Sequence, residues 1–159
     1  MKARYAVLVA IAGAVAVTSV GAAAPEASKQ RVTITGRGLF NPTSFGTFVL
    51  TPLRAGALES DSGTGTATWT SRDVTRDGGK VGIQISITTL EGKRGTLVIR
   101  ERMEGVEAGN GYHAAIGTWK VVRGTGQYAQ ATGGGVVGNV VVERTRSWYD
   151  GREGLLTIP

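Results

Sequence analysis

The sequence predicts an all-β protein: a single antiparallel β-barrel of about eight strands, preceded by a cleavable N-terminal signal helix. Three observations carry this expectation. Beyond residue 30 the apolar residues recur with period two, and no window keeps them at i, i+3, i+4 and i+7 for three turns. β-Branched residues dominate, and 25 of the 159 residues are glycine, which interrupts any helical run. Clusters of Asp, Asn and Gly punctuate the apolar runs at short intervals, as hairpin turns require.

The first element is a targeting segment. Lys2 and Arg4 precede an apolar run over residues 5–17, and small residues at 19–24 lead to Pro25. A basic start, an apolar stretch and a small-residue site together make a secretory signal peptide. A proline beside the scissile bond is unfavourable, so the cut is expected after Ala22 or Ala23. The organisation is then a signal peptide at 1–23, a linker at 24–30 and a barrel domain at 31–159. Residues 5–24 are also long enough to span a bilayer. Their Ala, Gly, Thr18 and Ser19 make the run weakly hydrophobic, which favours cleavage over anchoring. Membrane contact is expected only through this segment if it stays uncleaved, and the location is secreted, periplasmic or cell-envelope.

The strands follow in order. Residues 31–35 read R-V-T-I-T, with Val32 and Ile34 on one face. Residues 45–53 hold Phe45, Phe48, Val49, Leu50 and Leu53. In residues 64–70, threonine alternates with Gly65, Ala67 and Trp69. The cleanest alternation is at 81–89, where Val81, Ile83, Ile85 and Ile87 oppose Gly82, Gln84, Ser86 and Thr88. Residues 95–103 place Leu97, Ile99 and Met103 opposite Arg100 and Arg102. Residues 112–123 carry Trp119, residues 135–144 carry five valines, and residues 155–158 could close the sheet. Asp77-Gly78-Gly79, Gly109-Asn110-Gly111 and the run from Glu91 to Gly95 mark turns between antiparallel neighbours. Closure into a barrel removes the edges that such a Thr/Val-rich chain would otherwise expose.

Composition excludes much chemistry. There is no cysteine, hence no disulfide, thiolate metal site, cysteine nucleophile or lipoprotein anchor. A single histidine leaves no multi-histidine metal site, and no metal or cofactor is expected. Lys and Arg number 18 against 12 Asp and Glu, a formal net of +6, which drops to +4 without Lys2 and Arg4. The basic residues are scattered rather than blocked, so nucleic acid is not an expected partner. Gly133-Gly134-Gly135 has no following Lys-Ser or Lys-Thr, so it reads as a turn and not a phosphate loop.

The most distinctive stretch is 117–135, G-T-W-K-V-V-R-G-T-G-Q-Y-A-Q-A-T-G-G-G. A strand with Trp119 enters a G-T-G turn, a short segment carries Tyr128 and Ala129, and glycines open the next strand. This resembles the C-terminal hallmark of small barrels in the allene oxide cyclase barrel-like and dirigent-like group, and is similar to its exported bacterial members. Gly36-Arg37-Gly38, residues 61–69 and residues 93–100 (K-R-G-T-L-V-I-R) add to the likeness, which spans most of 30–145. It implies an eight-stranded antiparallel barrel with a lumen, often oligomeric in plant members, which act on oxylipins or steer phenoxy-radical coupling. The activity does not carry over. The plant cyclase site uses a cysteine, which is absent here, and the acidic groups of dirigent proteins have no evident match. Gly117-Thr118-Trp119 is also similar to motifs of lipocalins and avidins, but those lie near the mature N-terminus.

Two sets of side chains stand out. A hairpin centred near residue 107 would set Glu101 opposite His113, with Glu101 on the face of Leu97, Ile99 and Met103. A carboxylate beside an imidazole in a lumen is an acid–base pair; at a barrel mouth it is an ordinary cross-strand ion pair. Trp69, Tyr112 and Trp119 would wall a ligand site, although Trp119 and Tyr128 also suit core filling. Trp148 and Tyr149 read as a surface or rim pair. The expected function is binding of a small lipophilic ligand or a surface partner without catalysis. The alternatives are an isomerase or cyclase acting in the lumen through Glu101 and His113, and a solid-core structural domain. A homo-oligomer is compatible with each.

Overall fold

A computed structural model describes residues 28–40 and 44–159. Eight strands run in chain order: β1 (Ser28–Phe40), β2 (Ser44–Pro52), β3 (Asp61–Arg76), β4 (Gly79–Gly92), β5 (Gly95–Gly109), β6 (Tyr112–Gly124), β7 (Thr132–Val142) and β8 (Ser147–Ile158). Each pairs antiparallel with its neighbour in sequence, and β8 returns to β1, so the sheet is a closed barrel. Two single-turn 3-10 segments, Gly126–Tyr128 and Glu143–Thr145, precede β7 and β8. The expected signal segment lies outside the described residues.

All eight expected strands are present, and all but β2 are longer than their alternating cores suggested. β1 starts at Ser28, inside the expected linker, and β8 starts at Ser147 rather than at Leu155. The Asn110-Gly111 turn has φ of 54° and 74° at its two residues, the left-handed pair of a two-residue hairpin. That turn, together with a one-residue irregularity at Ala108 that offsets the ladder, sets Glu101 opposite Trp119 and Glu107 opposite His113. The expected pairing of Glu101 with His113 is therefore wrong by six residues. The shift is even, so the inward face of β5 survives: Leu97, Ile99, Glu101 and Met103 are all buried.

On β4 the isoleucines lie on the opposite face from the lumen. Ser86, Thr88 and Leu90 are buried inside, whereas on the outer face Ile87 is 40% exposed, Ile85 is half-buried and Ile83 alone is buried. The hydroxyl-bearing face turns inward because it has a buried partner there, described below.

The lumen is divided lengthwise. At one end Val32, Ile34, Leu50, Leu97, Ile99, Tyr128 and Leu156 are fully buried. Each such aliphatic side chain contributes about 1.5–3 kcal/mol of burial. The β2–β3 connection plugs this end with Leu58, whose N–H donates to Gln30 Oε1 at 2.6 Å. Asp61 fastens the same end. It accepts from the N–H groups of Ser62 (2.8 Å), Lys93 (2.9 Å) and Arg94 (3.3 Å), and from the Tyr128 hydroxyl (3.0 Å). Burial pushes the Tyr128 phenol far above the ordinary tyrosine range. Trp119, 2% exposed, belongs to this packed half, and Gly154 makes room for its ring: a Cβ there would lie 2.7 Å from Cζ2.

Candidate functional site

The other half of the barrel is open. A cavity of about 200 Å³ is lined by apolar side chains that include Phe40, Phe48, Trp69, Met103 and Trp148. At its base lie three charged side chains, Glu101 from β5 and Asp150 and Arg152 from β8. Alternation on β8 explains their direction. Leu156 and Ile158 are core residues, and counting back by twos turns Arg152, Asp150 and Trp148 to the same side.

The three charges form one bonded unit. Arg152 Nε donates to Glu101 Oε1 at 2.6 Å. Its two terminal nitrogens grip Asp150 bidentately, Nη1 to Oδ1 at 2.6 Å and Nη2 to Oδ2 at 2.9 Å. The second oxygen of Glu101 accepts from Ser86 Oγ and Thr88 Oγ1, each at 2.8 Å. The side chains of Arg152 and Glu101 are 3% exposed and that of Asp150 is 7% exposed. Among the described residues no buried side-chain nitrogen or oxygen lacks a partner. Burial raises the Asp150 carboxyl above its ordinary value, against the opposing pull of Arg152, and the Glu101 charge adds to the rise. Burial works against the charge on Arg152, but Glu101 and Asp150 outweigh it and hold the guanidinium protonated.

This unit forms the floor of the cavity. It separates the cavity from the apolar core beneath, and it presents buried carboxylate oxygens in a wall that also carries Thr47, Thr66, Gln84 and Asn139 among its apolar side chains. Gly36 on β1 leaves space beside it. A Cβ at Gly36 would lie 2.5 Å from Asp150 Oδ1 and 2.9 Å from the ring of Trp148, so carboxylate and indole converge on one spot.

The expected site residues separate. Glu101 points into the lumen and Trp69 lines the cavity. Trp119 does not line it, being packed in the core with its Nε1 donating to the Glu153 carbonyl at 3.3 Å. Tyr112 is 45% exposed and lies outside the cavity. His113 stands at the rim, six residues along β6 from the position opposite Glu101, or about 20 Å at strand rise. Its partner is Glu143, with Nε2 2.8 Å from Oε1. This exposed pair is expected to contribute little: His113→Ala should change stability by less than about 1 kcal/mol in a urea melt, and should leave lumen binding unaltered. Trp148, expected at a rim, lines the cavity while Tyr149 points outward.

Asp150, Arg152, Ser86 and Thr88 were not singled out by sequence reasoning. The signal for the first two was present in S-W-Y-D-G-R-E-G-L-L-T-I, had the strand been extended upstream from Leu155. Among the described residues no group of three or more His, Cys, Asp or Glu is placed to hold a metal. No protein-family model, characterised protein or solved structure matches the chain at a significant level.

Proposed function

We propose that this protein is an exported barrel that holds one small, largely apolar molecule in the open half of its lumen. The observation that carries the reading is the half-filled barrel: a cavity of about 200 Å³ walled by aromatic and aliphatic side chains, with hydroxyl and amide groups among them, over a buried, internally bonded charged floor. Ligand sites are mostly apolar with a few placed polar groups. An apolar cavity of about 150 Å³ already accepts benzene, so the occupant here is of one-ring size with a short chain. Export rests on the N-terminal pattern of Lys2, Arg4 and the apolar run. Placement in the allene oxide cyclase barrel-like and dirigent-like group is part of the same proposal, supported by the stretch at 117–135 and by an eight-stranded antiparallel barrel.

The test uses the tryptophans. Trp69 and Trp148 line the cavity and Trp119 does not. Titration of the mature protein with 3-phenylpropan-1-ol is expected to change tryptophan emission saturably. The change should vanish in a Trp69→Phe/Trp148→Phe protein that retains Trp119. Filling the lumen with Ala67→Phe should weaken binding about ten-fold or more while leaving the melting temperature equal or higher. No saturable change, together with an apo mass in native mass spectrometry of protein taken from its source cells, would remove the reading.

One observation favours a second reading, an isomerase or cyclase. A carboxyl held above its ordinary value inside an apolar lumen is a candidate proton donor, and Asp150 is one. That reading requires an offered ligand to return with unchanged mass and altered chromatographic retention.

A further inference from the structure

We propose that the lumen selects an organic cation: a primary amine with an apolar body of about one ring, its ammonium seated between Asp150 and the face of Trp148. This deepens the ligand-binding reading and rests on it.

The first support is charge count. The charged residues lining the cavity are Glu101, Asp150 and Arg152, two acids and one base. With all three ionised the floor carries one net negative charge away from water. An uncompensated buried charge is costly, and a bound cation compensates it. A bound anion would add to it.

The second support is how Arg152 is used. Nε is bonded to Glu101, and each terminal nitrogen is bonded to Asp150. Each terminal nitrogen keeps one further N–H, but a ligand carboxylate reaching it would sit beside the Asp150 carboxylate and be repelled. The oxygens on the floor accept hydrogen bonds, and an ammonium brings three donors.

The third support is shape. Asp150 and Trp148 line the same cavity and pack side by side against the Gly36 backbone, so an anion and an aromatic ring adjoin one another in its wall. Indole is the strongest aromatic partner for a cation, and the attraction grows when the site is desolvated. Phe40, Phe48 and Trp69 supply apolar wall for the body of the ligand.

The protein as a whole would favour the opposite choice. Its formal net charge is +6, so long-range attraction draws anions. A preference for the amine would therefore originate in the lumen.

The decisive experiment compares three probes with the same ring, 3-phenylpropylamine, 3-phenylpropan-1-ol and 3-phenylpropanoate, by tryptophan titration and calorimetry at pH 7.5. The amine is expected to bind about ten-fold tighter than the alcohol, and the carboxylate about ten-fold weaker than the alcohol. The order should persist at high salt, because a buried pair is poorly screened. Asp150→Asn should bring the amine-to-alcohol ratio to within about three-fold; the wild-type series decides the question if that variant does not fold. An alcohol that binds as tightly as the amine, or a carboxylate that binds best, overturns the cation preference and leaves the lumen reading standing. Absence of binding by all three probes overturns both.

Discussion

Arg152→Met is expected to destabilise the barrel by about 3–5 kcal/mol near neutral pH, the largest loss from any single side chain in the lumen. The substitution keeps the volume and removes the one cation, so Glu101 and Asp150 are left buried on the floor with only Ser86 and Thr88 as donors to Glu101. For a domain of this size the loss corresponds to roughly 10–20 °C in melting temperature. The pH dependence follows from Asp150. Burial already makes its native carboxyl bind a proton more tightly than the unfolded chain does, and Arg152 opposes that rise. Without Arg152 the rise is greater. The native variant then keeps a proton that the unfolded chain releases near pH ~4. Its stability is therefore greatest below that pH and falls as pH climbs toward the raised native value. Thermal melts of wild type and variant should diverge most at pH 7–8 and approach each other toward pH 5. Adding Asp150→Asn should recover part of the loss at pH 7.5, since one buried charge is then gone. A variant that melts with wild type across this range would mean that the floor is hydrated and the charges are not buried in solution.

Asp61→Ala is expected to cost about 3 kcal/mol or more, at the opposite end of the barrel. Asp61 accepts four hydrogen bonds, and three of them tie separate pieces of chain together: the β4–β5 turn through Lys93 and Arg94, and the segment before β7 through Tyr128. Removing the carboxylate strands the Tyr128 hydroxyl in the core and frees the turn. Tyr128→Phe isolates one of these bonds and should cost about 1–2 kcal/mol. It should also remove an alkaline limb. The native phenol stays protonated above pH ~10, where the unfolded chain ionises, so stability falls as pH rises beyond that point in wild type and does so less in the variant. Neither change touches the cavity, so binding of 3-phenylpropan-1-ol in the folded fraction should be unchanged. Urea melts near neutral and alkaline pH measure both effects. An Asp61→Ala protein with an unchanged midpoint would show that this end of the barrel is held by apolar packing alone.

The fold was legible because period-two alternation and turn residues are local signals. Asn110-Gly111 named its hairpin, and Lys93-Arg94 between Gly92 and Gly95 named another. The site was legible only where local pattern and burial agree, as for Glu101 on the face of Leu97, Ile99 and Met103. It was hidden where they conflict. Ile85 and Ile87 look like a core face, yet Ser86 and Thr88 beside them turn inward, where they donate to Glu101 on the adjacent strand. The choice of face is made by a partner on another strand, and alternation cannot show it. Asp150 and Arg152 were hidden by charge itself, since charged residues on a strand normally face water. Only the extension of β8 from Ile158 back through Gly154 reveals their direction. The distance between Glu101 and His113 was lost because register is set by the turn and the bulge beside it, and not by the attractiveness of a pair.

The ladder between β1 and β8 differs in kind from the other seven. Those seven join strands adjacent in sequence, so each can zip from its own turn with a short loop to close. The β1–β8 seam spans almost the whole described chain, setting Ser28 opposite Ile158 and Gly36 opposite Asp150. Its sequence separation makes it the entropically most expensive ladder to close. The carboxylate–guanidinium unit is tied to that closure. Asp150 and Arg152 ride on the last strand, whereas Glu101, Ser86 and Thr88 wait on the central hairpin. Before the barrel closes there is no water-excluded floor for them to form. The lumen cavity thus depends on this one long-range ladder, and a chain without it would carry the same residues without bringing them together.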